Sequence, residues 1–246
     1  MKTSNKMLLG LVAAIIMLII IQLISMKSLL RTEKIKGNGH LATLEETVST
    51  FDKINCSSSA EVCYHASESY QAVITVDENL EEYVEVFTEN NVLNIRTKKG
   101  HSISPTKFTI DVYCPVLTGV TISGSGSFNH ADKIIVSTFE SKVTGSGKIE
   151  GSIECDNYSA TITGSGKITV DGNINDANIS ITGSGNFNGN ELNTRNATIS
   201  ITGSGDANIR VVDNLKAKIT GSGNVNYSGN PKVDSDISGS GRVRKM

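Results

Sequence analysis

The chain has 246 residues, with 23 Lys or Arg against 25 Asp or Glu and a formal charge of −2. That near-neutral balance, with only 20% charged residues, argues against a nucleic-acid binder, which needs a basic stripe to neutralise phosphates. With 23 Gly, 3 Pro and no Trp it is neither collagen-like nor Pro-rich, and it offers few aromatic platforms for stacking a ligand.

Residues 1–6 form a short tail carrying Lys2 and Lys6. From Met7 to Ile24 the run is apolar apart from Gly10 and Gln22, and 18 helical residues rise about 27 Å, close to the hydrocarbon thickness of a bilayer. No A-x-A site follows Ile24, so 7–26 reads as an uncleaved transmembrane signal anchor. No Cys follows the run until Cys56, which argues against a lipoprotein. Residues 27–43 are a basic, polar tether. A charge count over Lys27, Arg31, Lys34 and Lys36 alone would hold the remainder in the cytoplasm. The six-residue tail and the exported character of the following sequence instead place the domain outside it, periplasmic or otherwise extracytoplasmic in a bacterium.

Residues 44–116 alternate in polarity as strands do and read as a β-rich cap or irregular first coils. Tyr70, Ala72, Ile74 and Val76 share one strand face, and Phe108, Ile110, Val112, Cys114 and Val116 share another. Asn90-Asn91 reads as a hairpin turn, because Asn tolerates the left-handed conformation. Such a cap would shield the edge of whatever sheet follows.

Residues 117–246 carry Gly-Ser-Gly at 124–126, 145–147, 164–166, 183–185, 203–205, 221–223 and 239–241, spaced by 21, 19, 19, 20, 18 and 18. A fixed period near 19 means a stacked solenoid, whose units bury apolar faces only against neighbours. Two positions before each first Gly stand Ile122, Val143, Ile162, Ile181, Ile201, Ile219 and Ile237, an interior column. Four positions after it stand Phe128, Ile149, Ile168, Phe187, Ala207, Val225 and Val243, a second one. Between them the residue before GSG is always Ser or Thr, so inward and outward positions alternate, and no helical segment intervenes. This excludes a leucine-rich repeat and predicts an all-β chain, a parallel β-helix solenoid with GSG at its corners. There Gly takes positive φ and the small Ser permits close stacking. Six intervals at about 4.8 Å make roughly 29 Å of rod.

The repeated Ile-Thr-Gly-Ser-Gly, the run from Val112 to Gly126 (VYCPVLTGVTISGSG) and the ending Gly229-Asn230-Pro231-Lys232-Val233 together resemble the bacterial auto-transporter adhesin family with a head GIN domain. The likeness spans roughly 40–246. It implies a β-helix similar in shape to pectin lyases, no catalytic residues carried over, and a role in cell-surface adhesion. An autotransporter's long C-terminal barrel segment and heptad stalk have no counterpart in this sequence.

A lyase or hydrolase on this scaffold would need acids and bases converging from adjacent coils. Asp156, Asp171, Asp176, Asp213 and Asp234 fall 11, 7, 12, 10 and 13 positions after the first Gly of their repeats and form no single column. Repeat calcium sites need a G-G-x-G-x-D pattern, whereas only Asp206 follows a GSG. Cys56, Cys63, Cys114 and Cys155 lack zinc spacing and read as small buried hydrophobes. Cys63 and His65 do share a strand face, so a three-ligand site with Cys56 opposite is the metal arrangement weighed against that reading. A Cys56–Cys63 disulfide is left open. No metal and no cofactor is expected.

Five positions after each first Gly stand Asn129, Glu150, Thr169, Asn188, Asn208, Asn226 and Arg244. Of these, Asn129, Thr169, Asn188, Asn208 and Asn226 form the candidate binding row, able to hydrogen-bond sugar hydroxyls weakly but repeatedly. Stacked Asn and Thr also stabilise coils without binding anything. Ice binding would want a flat Thr-x-Thr plane. Thr161-x-Thr163 begins one, but Lys142, Lys218 and Asp236 interrupt its column. The expected function is a membrane-anchored, non-enzymatic adhesin-like or envelope scaffold domain, with a polysaccharide-active enzyme as the alternative. The expected partners are the membrane, through the N-terminal helix, and glycans or envelope proteins. A second copy could stack on the final coil beside Arg242, Arg244 and Lys245.

Overall fold

The computed structural model describes residues 34–246 together with Met17; the rest of the expected 7–26 anchor lies outside the described residues. Among them no helix is long and apolar enough to cross a membrane. The described chain is all-β and forms a β-solenoid of about 7 turns.

The amino-terminal part supplies β1 (Lys34–Lys36), β2 (Leu41–Thr47), β3 (Lys53–Ser57), β4 (Glu61–Ala66) and β5 (Gln71–Asp77). A 3₁₀ turn at Glu78–Tyr83 leads to β6 (Val84–Glu89), β7 (Val92–Thr97), β8 (Ser102–Ser104) and β9 (Phe108–Cys114). β3 and β4 form one coil, and β7 and β9 stack on its outer side in parallel register, with Leu93 beside Ile54 and Ile110 beside Val62. Stacking order therefore departs from chain order here. The corner between β3 and β4 is Ser58-Ser59-Ala60, and its Ala60 carbonyl accepts the Ser127 N–H of the next coil at 3.0 Å.

Antiparallel strands finish this end: β6 folds back on β7, β5 lies against β9, and β2 lies against β5. The β6–β7 turn holds Asn90 and Asn91 at φ 51° and 61°, the left-handed region that Asn tolerates. Asp77 staples the cap. Its fully buried carboxylate accepts the Gly39 N–H at 2.8 Å, the Thr106 N–H at 2.8 Å and the Thr106 hydroxyl at 2.7 Å. Burial alone would raise its pKa, yet the bonds from Thr106 and Gly39 hold it below the ordinary carboxylate value.

The regular part runs through β10 (Gly119–Gly124), β11 (Ser127–His130), β12 (Ile134–Ile135), β13 (Thr138–Gly145), β14 (Lys148–Gly164) and β15 (Lys167–Gly183). It continues in β16 (Asn186–Gly203), β17 (Asp206–Gly221), β18 (Asn224–Gly229), β19 (Lys232–Gly239) and β20 (Arg242–Lys245). All stack in parallel, and β10 and β11 pair back onto β3 and β4, joining both halves in one solenoid. Equivalent residues lie in register, as in Ile162, Ile181, Ile201 and Ile219. Ile122, Val143, Ile162, Ile181, Ile201 and Ile219 are buried, and each such side chain contributes roughly 1.5–3 kcal/mol by leaving water. Ile237 differs: it is 40% exposed, because no described coil covers β19. Val116, expected to share the inward face of β9, lies beyond that strand's end and is also exposed.

Each corner is built by its glycines rather than by the serine. The first Gly of each tripeptide has φ between 110° and 126°, which L side chains rarely adopt. A Cβ on the second, as at Gly185, would meet the Gly166 carbonyl oxygen at 2.8 Å and press still closer on an Ile162 methyl. The serine side chain faces solvent at the six corners from Ser125 to Ser222. Its backbone N–H carries the ladder through the bend, as Ser184 N–H does to Gly164 C=O at 2.8 Å.

Candidate functional site

The predicted row exists as a register column. Thr169, Asn188, Asn208 and Asn226 sit on successive coils, with Glu150 before them and Arg244 after. Toward the amino terminus Asn129 pairs with Cys63, and Cys63 with Asp111. The five candidate residues are half-buried, since side chains above and below cover their flanks. Part of their capacity is used internally: Asn226 Nδ2 donates to Asn208 Oδ1 at 2.8 Å, and Asn129 Nδ2 to Glu61 Oε1 at 3.0 Å. An amide has two N–H donors and two lone pairs, so an Asn in such a ladder keeps one of each free. The Thr169 hydroxyl is buried without a partner.

Variation in repeat length is absorbed beside this row. The β15–β16 register shifts between Thr169 and Gly172, and β16–β17 shifts between Gly189 and Asn196. These irregularities leave a groove of about 520 Å³ lined by Thr169, Asp171, Asn173, Asn188, Asn190 and Glu191, among others. A second groove, of about 500 Å³, lies on the other side of Asn173 and Asn193 and runs from Ile135 and Glu154 to Arg195 and Val212. Asn193 Nδ2 donates to Asn173 Oδ1 at 3.1 Å, so a ladder forms the ridge between the two grooves.

Two further polar columns, Asp176–Asn196–Asn214 and Ser159–Asn178–Thr198, were not singled out in the sequence. Asn214 bonds to Asn196 at 2.8 Å and Asn196 to Asp176 at 3.0 Å. Ser159, Thr161 and Thr163 of one coil stand in register with Asn178, Ser180 and Thr182, then with Thr198, Ser200 and Thr202. This small-residue face is bounded by Lys142 on one side and Lys218 on the other. The alternation that exposed the Thr-x-Thr pair would have revealed the whole array had all three columns been followed.

Among the described residues, carboxylates along the coils are engaged with neighbouring amides and amines. Asp156 Oδ1 accepts from Asn175 at 2.7 Å, and Glu154 pairs with Lys133. All four cysteines are free. Cys56 points inward, where its thiol meets Ser58 at 3.3 Å, so it does not join Cys63 and His65 on the outer face. Their neighbour is Asp111, whose Oδ1 lies 2.8 Å from His65 Nε2. His65 also stacks on Tyr113, with ring centroids 4.8 Å apart. Burial pushes the Cys114 thiol up to about 12 and the Cys155 thiol up to about 11.

Solved structures share this architecture. A crystal structure described as a putative lipid binding protein from Parabacteroides distasonis is 28% identical, with a TM-score of 0.72 over 87% of this chain and 100% of that one. A putative adhesin from Parabacteroides merdae is 29% identical, with a TM-score of 0.70 over 87% of this chain and 100% of the other. A putative adhesin from Bacteroides fragilis, 21% identical, has a TM-score of 0.80 over 86% of this chain and 100% of that one, a likeness of fold. No curated protein matches the sequence. The family model described as "Putative auto-transporter adhesin, head GIN domain" matches residues 50–231. With its GSG-cornered solenoid and that match over most of its length, the chain belongs to the auto-transporter adhesin head GIN domain family.

Proposed function

We propose that the protein is a non-enzymatic, membrane-anchored binding domain of the cell envelope that holds extended glycans along its outer polar row through many weak contacts. The observation that carries this reading is the in-register column Thr169, Asn188, Asn208 and Asn226 beside a polar groove. It repeats hydrogen-bonding groups at the strand spacing of about 4.8 Å, comparable with the length of a pyranose ring. Each contact is worth little in water, but contacts on one polymer add through effective concentration. Catalysis would need a buried or like-charge-coupled acid and base, whereas Asp156, Asp171 and Glu191 are exposed. The adhesin description of the family agrees with a binding role, and the apolar run at 7–26 is the proposed tether to the membrane.

The test is a glycan array of envelope polysaccharides probed with the full chain in detergent, beside the Asn188→Ala/Asn208→Ala variant. Retention on polymeric glycans that the variant loses supports the proposal. Product release from any polymer, or equal retention by both proteins, contradicts it. The name of the Parabacteroides distasonis relative makes lipid a useful control, since Ile135 and Val212 expose apolar surface at 70% and 51% beside the second groove. Binding to phospholipid vesicles with no glycan retained would also contradict the glycan reading.

A further inference from the structure

We propose that Cys63, His65 and Asp111 form a binding site for a divalent transition metal, zinc foremost, at the amino-terminal head of the outer row. The site stands on residues separate from the glycan-facing ones. Cys63 and His65 are two positions apart on β4 and therefore share its outward face, while Val62 and Tyr64 between and beside them point into the core. Asp111 lies opposite Cys63 in the parallel β4–β9 register. One sulfur, one imidazole nitrogen and one carboxylate oxygen thus come within 4.8 Å of one another. Among the described residues it is the one group of three or more His, Cys, Asp or Glu donors that close.

The donor set selects the cation. Thiolate and imidazole together favour zinc over magnesium or calcium, which take oxygen ligands. Metal–ligand bonds of about 2.0 to 2.3 Å put tetrahedral partners about 3.3 to 3.8 Å apart. His65 and Asp111, now 2.8 Å apart, need to open by about half an ångström, and Cys63, within 4.8 Å of the other two donors, needs to close by at most about 1–1.5 Å. Side-chain rotation supplies both movements, because all three residues are partly exposed. The metal takes the place of the Nε2 proton that His65 donates to Asp111, that proton and the one on the Cys63 thiol pass to water, and a water molecule fills the fourth position. Asp111, Glu61 and Asp132 bring negative charge near Cys63, a field that draws a cation to the site. A plain strand-stapling ion pair explains His65 and Asp111 but gives Cys63 no role.

The experiment uses the full chain, reduced and stripped with chelator, and titrates it with Zn²⁺ by calorimetry and with Co²⁺ by absorption. The expected result is one equivalent bound with a sulfur-to-cobalt charge-transfer band. Cys63→Ser should remove the band, and Cys63→Ser, His65→Ala and Asp111→Asn should each weaken Zn²⁺ about tenfold or more. Cys155→Ser should leave binding unchanged. Circular dichroism establishes that each variant is folded. Added Zn²⁺ should raise the melting temperature of the wild-type chain, since the ion bridges β4 and β9, and should not raise that of Cys63→Ser. No equimolar binding by the wild-type chain, or binding and a charge-transfer band that survive Cys63→Ser, would overturn the site.

Discussion

At position 181 an isoleucine lies between Ile162 and Ile201 with 1% of its surface exposed. Ile181→Asp places a carboxylate there with no partner, and burying or neutralising it should cost about 4 kcal/mol or more. Asn208→Ala on the outer row removes the 2.8 Å bond from Asn226 and should cost about 1 kcal/mol. Paired thermal melts check the contrast: the first variant should melt about 10 °C or more below the second. Equal melting temperatures would mean that the inward and outward columns are wrongly assigned. The thiols set a pH limit of their own. In the unfolded chain a cysteine ionises near 9.0, whereas Cys155 and Cys114 stay protonated to about 11 and about 12 in the fold. Their contribution to stability is therefore complete below pH about 9 and is lost as pH rises toward those folded values. Urea midpoints taken at neutral and alkaline pH should fall for the wild-type chain and fall less for Cys114→Ala/Cys155→Ala. An equal fall in both would refute the assignment.

At the scale of the coil, the corner divides its work among three residues. Gly183→Ala imposes φ 115° on an L residue and sets its Cβ 2.5 Å from the Gly164 carbonyl oxygen, so a loss of about 3 kcal/mol or more is expected. Gly185→Ala meets only crowding and should cost about 1–3 kcal/mol. Ser184→Ala should stay within about 0.5 kcal/mol, because its side chain is solvated and its backbone bond survives. Denaturant titration of the three variants gives this order; a serine loss exceeding both glycine losses would reverse the corner's explanation. The columns through Ile181 and Asn208 were legible in the sequence because each coil repeats the same local pattern. The coil of β3 and β4 was not, since Ser58-Ser59-Ala60 turns its corner without the glycine signature and its outer partners come from residues 92–114. Asp111 was invisible beside Cys63 and His65 for the same reason: only the topology brings residues 46 apart to 2.8 Å. The exposure of Ile237 belongs to the end of a stack, which periodicity does not mark.

Over the described residues as a whole, the two ends of the solenoid differ. Antiparallel β2, β5 and β6, held by Asp77, finish the amino-terminal end. At the other end Val233 and Ile237 remain 37% and 40% exposed. Between them the outer row runs from Asn129 to Asn226 at one residue per coil, and the proposed glycan binding would act through the length of that row. The most direct measurement is calorimetric binding of one glycan, identified on the array, as a series of increasing chain length to the full chain and to Asn188→Ala/Asn208→Ala. A linear array predicts affinity that rises with each added sugar until the ligand spans the row, with the rise flattened in the variant. Affinity that is independent of chain length, or a rise unchanged by removing both asparagines, would contradict it.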